Sequence, residues 1–455
     1  MQRIIGAVFG LLVVGTLAFA QPSGAPPPEA VAACAQASEG AACGFIAPHS
    51  RVEGLCRRTP QGSACVPAGG PGRRPPTGGD EQDRSPRSPP PWVDIAARDA
   101  SAQPVASRIP DTGQGSCFSD NDLIPCPRPG QRWYGQDAQY EGARPSYRDH
   151  GDGTVSDEVT GLMWQQAHNV RRLSWPAARA ACDGLRLGGH DDWRLPSIKE
   201  LFSIADFRGA AGDRPYLPDA FEIREPDAGV LENDPFRASH RTDMMGQTWS
   251  ATIYSGDHWD RPGVKAAFFV NFLDGRIKSA PIAERAQGLF YRCVRGAAWG
   301  GNDFVDHGDG TASDRESGLM WQQADDGRSR DWEGALAYCE SLDLAGHDDW
   351  RLPNVKELQH IVDYRRHDPA LDERFLRQSN RHAWFWSSTT LGDNVRQATY
   401  VCFGRCTSID GIDVHGAGAQ RSDPKSGNTP HPGSQGGQQD EIRGHNYARC
   451  VRSGG

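Results

Sequence analysis

Hydrophobic positions in the middle of the chain follow two periods. From Ser174 onward Trp175, Ala178, Cys182 and Leu185 recur at three- and four-residue spacing, the apolar stripe of a helix capped by Ser174. A second helix opens at Ser197, which forms a capping box with Glu200, and carries Leu201, Ile204 and Ala205 on its apolar face. Elsewhere the pattern is that of strands: Thr154-Val155, Leu162-Met163-Trp164, Thr248–Thr252, Ala267–Phe272 and Tyr291–Arg295. Turn chemistry separates them at His150-Gly-Asp-Gly153, Thr160-Gly161 and Asp274-Gly275. Helices and strands in this order predict an α+β domain.

The pattern is then written again. His150–Ala167 returns as His307–Ala324, and Gly189–Leu201 as Gly346–Leu358, both displaced by 157 residues. Asp331 replaces Ser174 as cap, Trp332, Ala335, Cys339 and Leu342 repeat the stripe, and Asn354 with Glu357 repeats the capping box. Solenoid units run to about 20–50 residues. A repeat of this length is a whole domain, and two copies are expected, over residues 108–297 and 302–455.

The flanking segments read differently. Arg3, the apolar run Ile4–Leu17 and the small-residue site Ala18-Phe19-Ala20 predict a secretory signal peptide over residues 1–20. That run is too short to span a membrane and no later stretch is long enough, so the mature chain is expected to be secreted, periplasmic or held at the cell surface. Residues 21–66 hold Cys34, Cys43, Cys56 and Cys65 and predict a small Cys-rich module, because so short a piece needs staples in place of a large core. Residues 67–107 are rich in Pro, Gly and Arg and predict a disordered linker. Residues 412–445, rich in Gly, Ser, Gln and His, predict a disordered insertion in the second copy. The net charge of −9 gives no electrostatic footprint for nucleic acid, although arginines cluster in places.

Twelve cysteines, an even number, suit an oxidising compartment and pairing. Cys182 and Cys293 are copied together as Cys339 and Cys450, which predicts one bridge inside each copy. Cys117 and Cys126 flank an Asp/Asn-rich turn and are expected to pair. Cys402 and Cys406 leave three readings open: a disulfide across a hairpin turn, a redox pair or a metal pair. Asp149, Asp152 and Asp157, repeated as Asp306, Asp309 and Asp314, surround glycine turns. They suit calcium, or they bond local turn amides. An EF-hand loop needs oxygen ligands where this chain has Arg148 and His150, or Val305 and His307. Asp191 and Asp192, beside Trp193 and Arg194 and repeated as Asp348, Asp349, Trp350 and Arg351, read as a paired-carboxylate site or as ion pairing around a core tryptophan. Hydrolase elbow, phosphate loop, dinucleotide fingerprint and zinc-type His spacing are all missing.

Taken together, Thr112-Gly-Gln, Cys117, Cys126-Pro, Gly151-Asp-Gly-Thr154, Thr160-Gly-Leu-Met-Trp164, Asp192-Trp-Arg-Leu-Pro196, Trp249-Ser250 and Cys293-Val-Arg295 resemble the Lcl C-terminal domain family. These are bacterial exported domains named after the tail of a collagen-like adhesin. The chain is also similar, more loosely, to C-type lectin-like domains, in which a disulfide ties the first helix to the last strand. That resemblance implies two tandem C-type lectin-like domains after the small module, each with variable loops as its binding surface. The sugar-site signatures Glu-Pro-Asn, Gln-Pro-Asp and Trp-Asn-Asp are missing. The implied function is exported, non-catalytic binding of a glycan or extracellular polymer, with avidity from two copies. Two alternatives are a formylglycine-generating-oxidase-like enzyme using Cys402 and Cys406, and a structural envelope protein.

Overall fold

A computed structural model divides the chain into two units, residues 1–88 and 89–455. It describes residues 31, 33–35, 38, 41–47, 50–59, 62–67, 102–210, 214–223, 246–283, 288–427 and 440–454. The expected signal peptide and nearly all of the expected linker lie outside the described residues. In the first unit, β1 (Ala42–Ala47), β2 (Ser50–Thr59) and β3 (Gly62–Pro67) form an antiparallel sheet with β2 central. Disulfides Cys34–Cys56 and Cys43–Cys65 staple it.

In the second unit each copy builds the same parts. The first has a four-stranded sheet of β4 (Tyr147–Asp149), β5 (Thr154–Asp157), β6 (Met163–Gln165) and the late strand β10 (Val294–Arg295), in the order β10-β6-β5-β4. It also has a meander of β7 (Gln247–Ile253), β8 (Ala266–Asn271) and β9 (Arg276–Pro281). The second copy repeats the four-stranded sheet with β11 (Phe304–Asp306), β12 (Thr311–Asp314), β13 (Leu319–Gln322) and β17 (Val451–Ser453). Its meander is β14 (Trp384–Thr390), β15 (Gln397–Cys402) and β16 (Gln420–Pro424). The closing strand of the first copy covers only Val294–Arg295 of the expected Tyr291–Arg295, and Cys293 and Cys450 sit just ahead of the last strands of the two copies.

Helices α1 (Trp175–Asp183) and α2 (Ile198–Ser203) return as α3 (Trp332–Glu340) and α4 (Val355–His360). Both α2 and α4 begin with complete capping boxes, through Ser197/Glu200 and Asn354/Glu357. Asp331 caps α3 by accepting from Gly334 N–H, whereas Ser174 occupies the cap position of α1 without a side-chain bond. The indoles lock each first helix to its sheet: Trp175 Nε1 donates to Ser250 C=O and Trp332 Nε1 to Ser387 C=O, each at 2.8 Å. Cys182–Cys293 and Cys339–Cys450 close the same layer, each spanning 111 residues. A closed loop of that length constrains the unfolded chain by up to about 4.7 kcal/mol in the chain-entropy view.

The two copies are fused rather than strung in tandem. Their meanders join edge to edge in one six-stranded sheet, β7-β8-β9-β16-β15-β14. At the junction Ile277 pairs with Gln420. These residues are counterparts, since Ile277 faces Val270 in its meander and Gln420 faces Val401 in the other. The junction therefore lies on a pseudo-two-fold axis. Across it Lys356 Nζ donates to Ser203 C=O, the last residue of α2, at 2.8 Å, and Lys199 Nζ reaches His360 C=O, the last residue of α4. One apolar core runs across the axis and includes Leu201, Phe202, Leu358 and Ile361, while each copy keeps its own tryptophan-rich core.

Two expectations are corrected. Residues 412–427 and 440–445, predicted as part of a disordered insertion, are largely buried and supply β16 at the centre of the sheet. Their small and polar composition hid the strand, because the backbone pairs at the junction and the charged side chains find buried partners. The segment ahead of the first copy, expected as its opening, instead straps the second. Arg108 N–H donates to Ser317 C=O, Gln114 pairs through both amide atoms with Thr390 N–H and C=O, and Tyr140 OH donates to Glu340 at 2.6 Å. Asp137 accepts from the hydroxyls of Thr112 and Thr389.

Candidate functional site

The repeated aspartates hold turns. Asp149 accepts from Gly151 N–H, Asp152 from Thr154 N–H and hydroxyl, and Asp306 and Asp309 do the same in the second copy. Asp157 and Asp314 are buried and bond neighbouring backbone and side chains. No three of these carboxylates bring ligand oxygens within 4.8 Å of one another among the described residues, so the geometry favours the turn reading over calcium. Asp192 and Asp349 each grip an arginine of the last strand, Arg295 and Arg452, with two bonds of 2.6 and 3.1 Å. Asp191 is exposed. The turn aspartates and the Asp192 and Asp349 pairs thus bond within the scaffold.

Cys117 pairs with Cys126 and Cys402 with Cys406, and no free cysteine remains among the described residues. Both Cys402 and Cys406 are fully buried. An oxidase using them as thiols would first have to open a buried disulfide. Another polar cluster is equally closed: Asp440 accepts from His415 Nε2 at 3.0 Å, Arg421 Nε at 3.1 Å and the Tyr400 hydroxyl, with none of the four open to solvent. Burial pushes His415 down to about 4, which keeps it neutral near pH 7 as a fixed structural partner.

The exposed chemistry lies where the copies differ. Between β7 and β8 the first copy has a long loop around His258–Asp260, and between β15 and β16 the second has a long loop around Cys406–Gly418. The fold brings these two insertions together. Trp259 N–H donates to Asp413 C=O at 3.0 Å, Asp413 N–H to Asp260 Oδ2 at 3.2 Å, and Arg405 pairs with Asp260. Asp413 is the hub. Its carboxylate accepts from Tyr254 OH at 2.5 Å, Cys406 N–H at 3.1 Å and Gly416 N–H at 2.9 Å, and burial raises its pKa. Above the hub Trp259, Ile409 and Ile412 stand about 40 % exposed. Trp259 and Asp260 take left-handed backbone, at φ 56° and 52°. Such strain costs about 1–3 kcal/mol per residue and persists where the surroundings impose it. The two insertions thus present an indole and two isoleucines to solvent near the charged residues Asp257, Arg261 and Arg405. Sequence reasoning missed it because neither insertion shows that it meets the other.

Two further clefts are related by the pseudo-two-fold axis. One, about 400 Å³, lies between Ser197–Lys199, Thr252, the link Trp299–Asn302 and Ile361–Arg365. The other, about 480 Å³, lies between Asp111–Gly113, Arg144–Tyr147 and Ala205–Arg208. Each contains the same internal pair, Asp363 with Arg365 and Asp206 with Arg208, joined through the guanidinium Nε at 2.8 and 2.9 Å. Burial lowers the Lys199 ammonium to about 7.

No helix among the described residues is long and apolar enough to cross a membrane. Neither a curated protein nor a solved structure matches the chain significantly. A sequence profile of the Lcl C-terminal domain matches residues 153–295 and again 310–418. The two matches cover more than half of the chain and fall on the two copies whose helices, sheets and disulfides repeat one another, and the chain therefore belongs to the Lcl C-terminal domain family.

Proposed function

We propose that this is an exported, non-catalytic binding protein that engages a glycan or another extracellular polymer through the loop cluster at which its two lectin-like copies meet. The observation that carries the reading is Trp259, held half-exposed on left-handed backbone by bonds from the other copy's insertion. A flat indole on a backbone held by the other insertion offers its face to a sugar ring, and the neighbouring Asp257, Asp260, Arg261 and Arg405 supply hydrogen-bonding groups for hydroxyls. The lectin-like reading draws support from the disulfide that links each first helix to the segment before the last strand. Six disulfides and the expected signal peptide support an address outside the cytoplasm.

The test is retention of the full chain on immobilised polysaccharides, run beside Trp259→Ala. Retention is expected for at least one polymer. Because an anchoring aromatic side chain typically contributes about 2 kcal/mol, the variant should bind at least about tenfold more weakly while melting within about 2 °C of the parent. Equal binding by Trp259→Ala, or no retention on any polymer, defeats the proposal.

A further inference from the structure

The two clefts are counterparts, but only one is crossed by an extended strap; in the other, Asn302 Oδ1 of the link between the copies accepts from Lys199 Nζ at 2.9 Å. On the second copy the strap residues Asp111–Gln114 run through the seat. Lys356 Nζ donates to Asp111 C=O at 2.9 Å, Phe207 N–H donates to Thr112 C=O at 2.8 Å, and the Gln114 side chain makes its two bonds to Thr390, at 2.8 and 2.9 Å. Gly113, at φ 82°, passes so close that a Cβ would come within 3.0 Å of Asp206 Oδ1. Covered in this way, Lys356 and Thr390 are buried.

The first copy carries the same seat. Lys199 stands for Lys356, and Tyr364 for Phe207, at the 157-residue offset of the repeat. Thr252 stands for Thr389, since each accepts the first N–H of its helix, from Ile198 at 2.9 Å and from Val355 at 3.0 Å. Ile253 therefore stands for Thr390. No strap lies here: Ile253 is 41 % exposed, Tyr364 N–H has no acceptor among the described residues, and Lys199, Thr252 and Tyr364 line the cleft beside it. Ile253 ends β7, an edge strand of the six-stranded sheet, as Thr390 ends β14 on the opposite edge. Edge backbone at Ile253 and the Lys199 ammonium, which gives two of its three donors to Asn302 Oδ1 and His360 C=O and keeps the third, together present donors and acceptors that an extended peptide uses.

We infer that this cleft is a docking seat for an extended peptide segment of a partner polypeptide, of the Asp-Thr-Gly-Gln kind that the chain supplies to its own second copy. The peptide's first carbonyl meets Lys199 Nζ, its second meets Tyr364 N–H, its glycine passes Asp363 and Arg365, and its carboxamide pairs with the backbone of Ile253. The seat is distinct from the Trp259 loop cluster and does not depend on polymer binding.

The experiment uses a fluorescent peptide with the sequence of residues 109–115, titrated into the full chain and followed by anisotropy. Saturable binding is expected, at least tenfold weaker for a peptide with Ala in place of the Gln and for one with Val in place of the second-copy-facing Gly. The same loss is expected for Lys199→Met. Should that variant fail to fold, Thr252→Val and the two altered peptides decide the question. Absence of saturable binding at millimolar peptide, or equal binding of the altered peptides, overturns the inference. So does a concentration-dependent dimer in light scattering that the peptide disperses, which would make a second copy of this chain the occupant.

Discussion

A residue and its counterpart, occupying the same place in two copies, report what the surroundings do to one chemistry. Arg351 and Glu357 form a bidentate pair at 2.7 Å with both side chains almost fully buried, because Tyr140 of the strap lies over the guanidinium. Arg194 and Glu200 form the same pair at 2.6–2.7 Å, but Arg194 is one-third exposed. Removing one partner of a buried pair leaves an uncompensated charge and costs about 3–5 kcal/mol. Glu357→Ala should therefore destabilise the chain by about that amount in urea unfolding, and Glu200→Ala by clearly less, because water can reach Arg194. At the loop cluster, Asp413→Ala strands three donors, Tyr254 OH, Cys406 N–H and Gly416 N–H, and so loosens the second insertion and cuts its link to Tyr254. It should lower polymer retention as much as Trp259→Ala does and speed amide exchange across residues 257–261.

At the scale of elements, the strap is held by groups that titrate. Burial raises Glu340, which accepts from Tyr140 OH, to about 7 from an ordinary 4.5. Between those values the docked strap keeps a proton that the undocked chain has lost, so docking weakens as pH rises from about 4.5 to 7. Amide exchange over residues 135–141, corrected for intrinsic rates, should be slower at pH 5 than at pH 8, and Glu340→Gln should flatten that difference. Elements were also the scale most legible in the sequence. The capping boxes, the tryptophan stripes, the Gly-Asp-Gly turns and disulfide bonding could be read because each is local or copied as a block. The strand Gln420–Pro424 could not. Gln, Arg, Ser and Asp carry no strand periodicity; the strand is fixed by five residue pairs with Gln397–Cys402 and one with Ile277, a long loop before it hiding the first and the other copy supplying the second.

At the scale of the molecule, the repeat announced two domains but not their union. The shared sheet, the crossed lysines and the common core arise from contacts between copies, and neither copy's own pattern encodes them. The candidate site was illegible for the same reason, since it forms only when one copy's insertion closes over the other's. The union predicts that halves spanning 102–297 and 302–455, coexpressed without the link, will elute together in size exclusion. It also predicts that 302–455 alone, without its strap, will unfold at lower urea concentration than 102–455.

The pairing of Ile277 with its own counterpart Gln420 has a genetic consequence. Two identical chains meeting across such an axis would carry every substitution on both sides at once, so an insertion or a strap that helped one half would be forced on the other. Joined in a single reading frame, the halves mutate separately. One gene thereby gains the liberty of a heterodimer: a Trp-bearing loop on one side, a stapled loop on the other, one seat occupied and its twin left open.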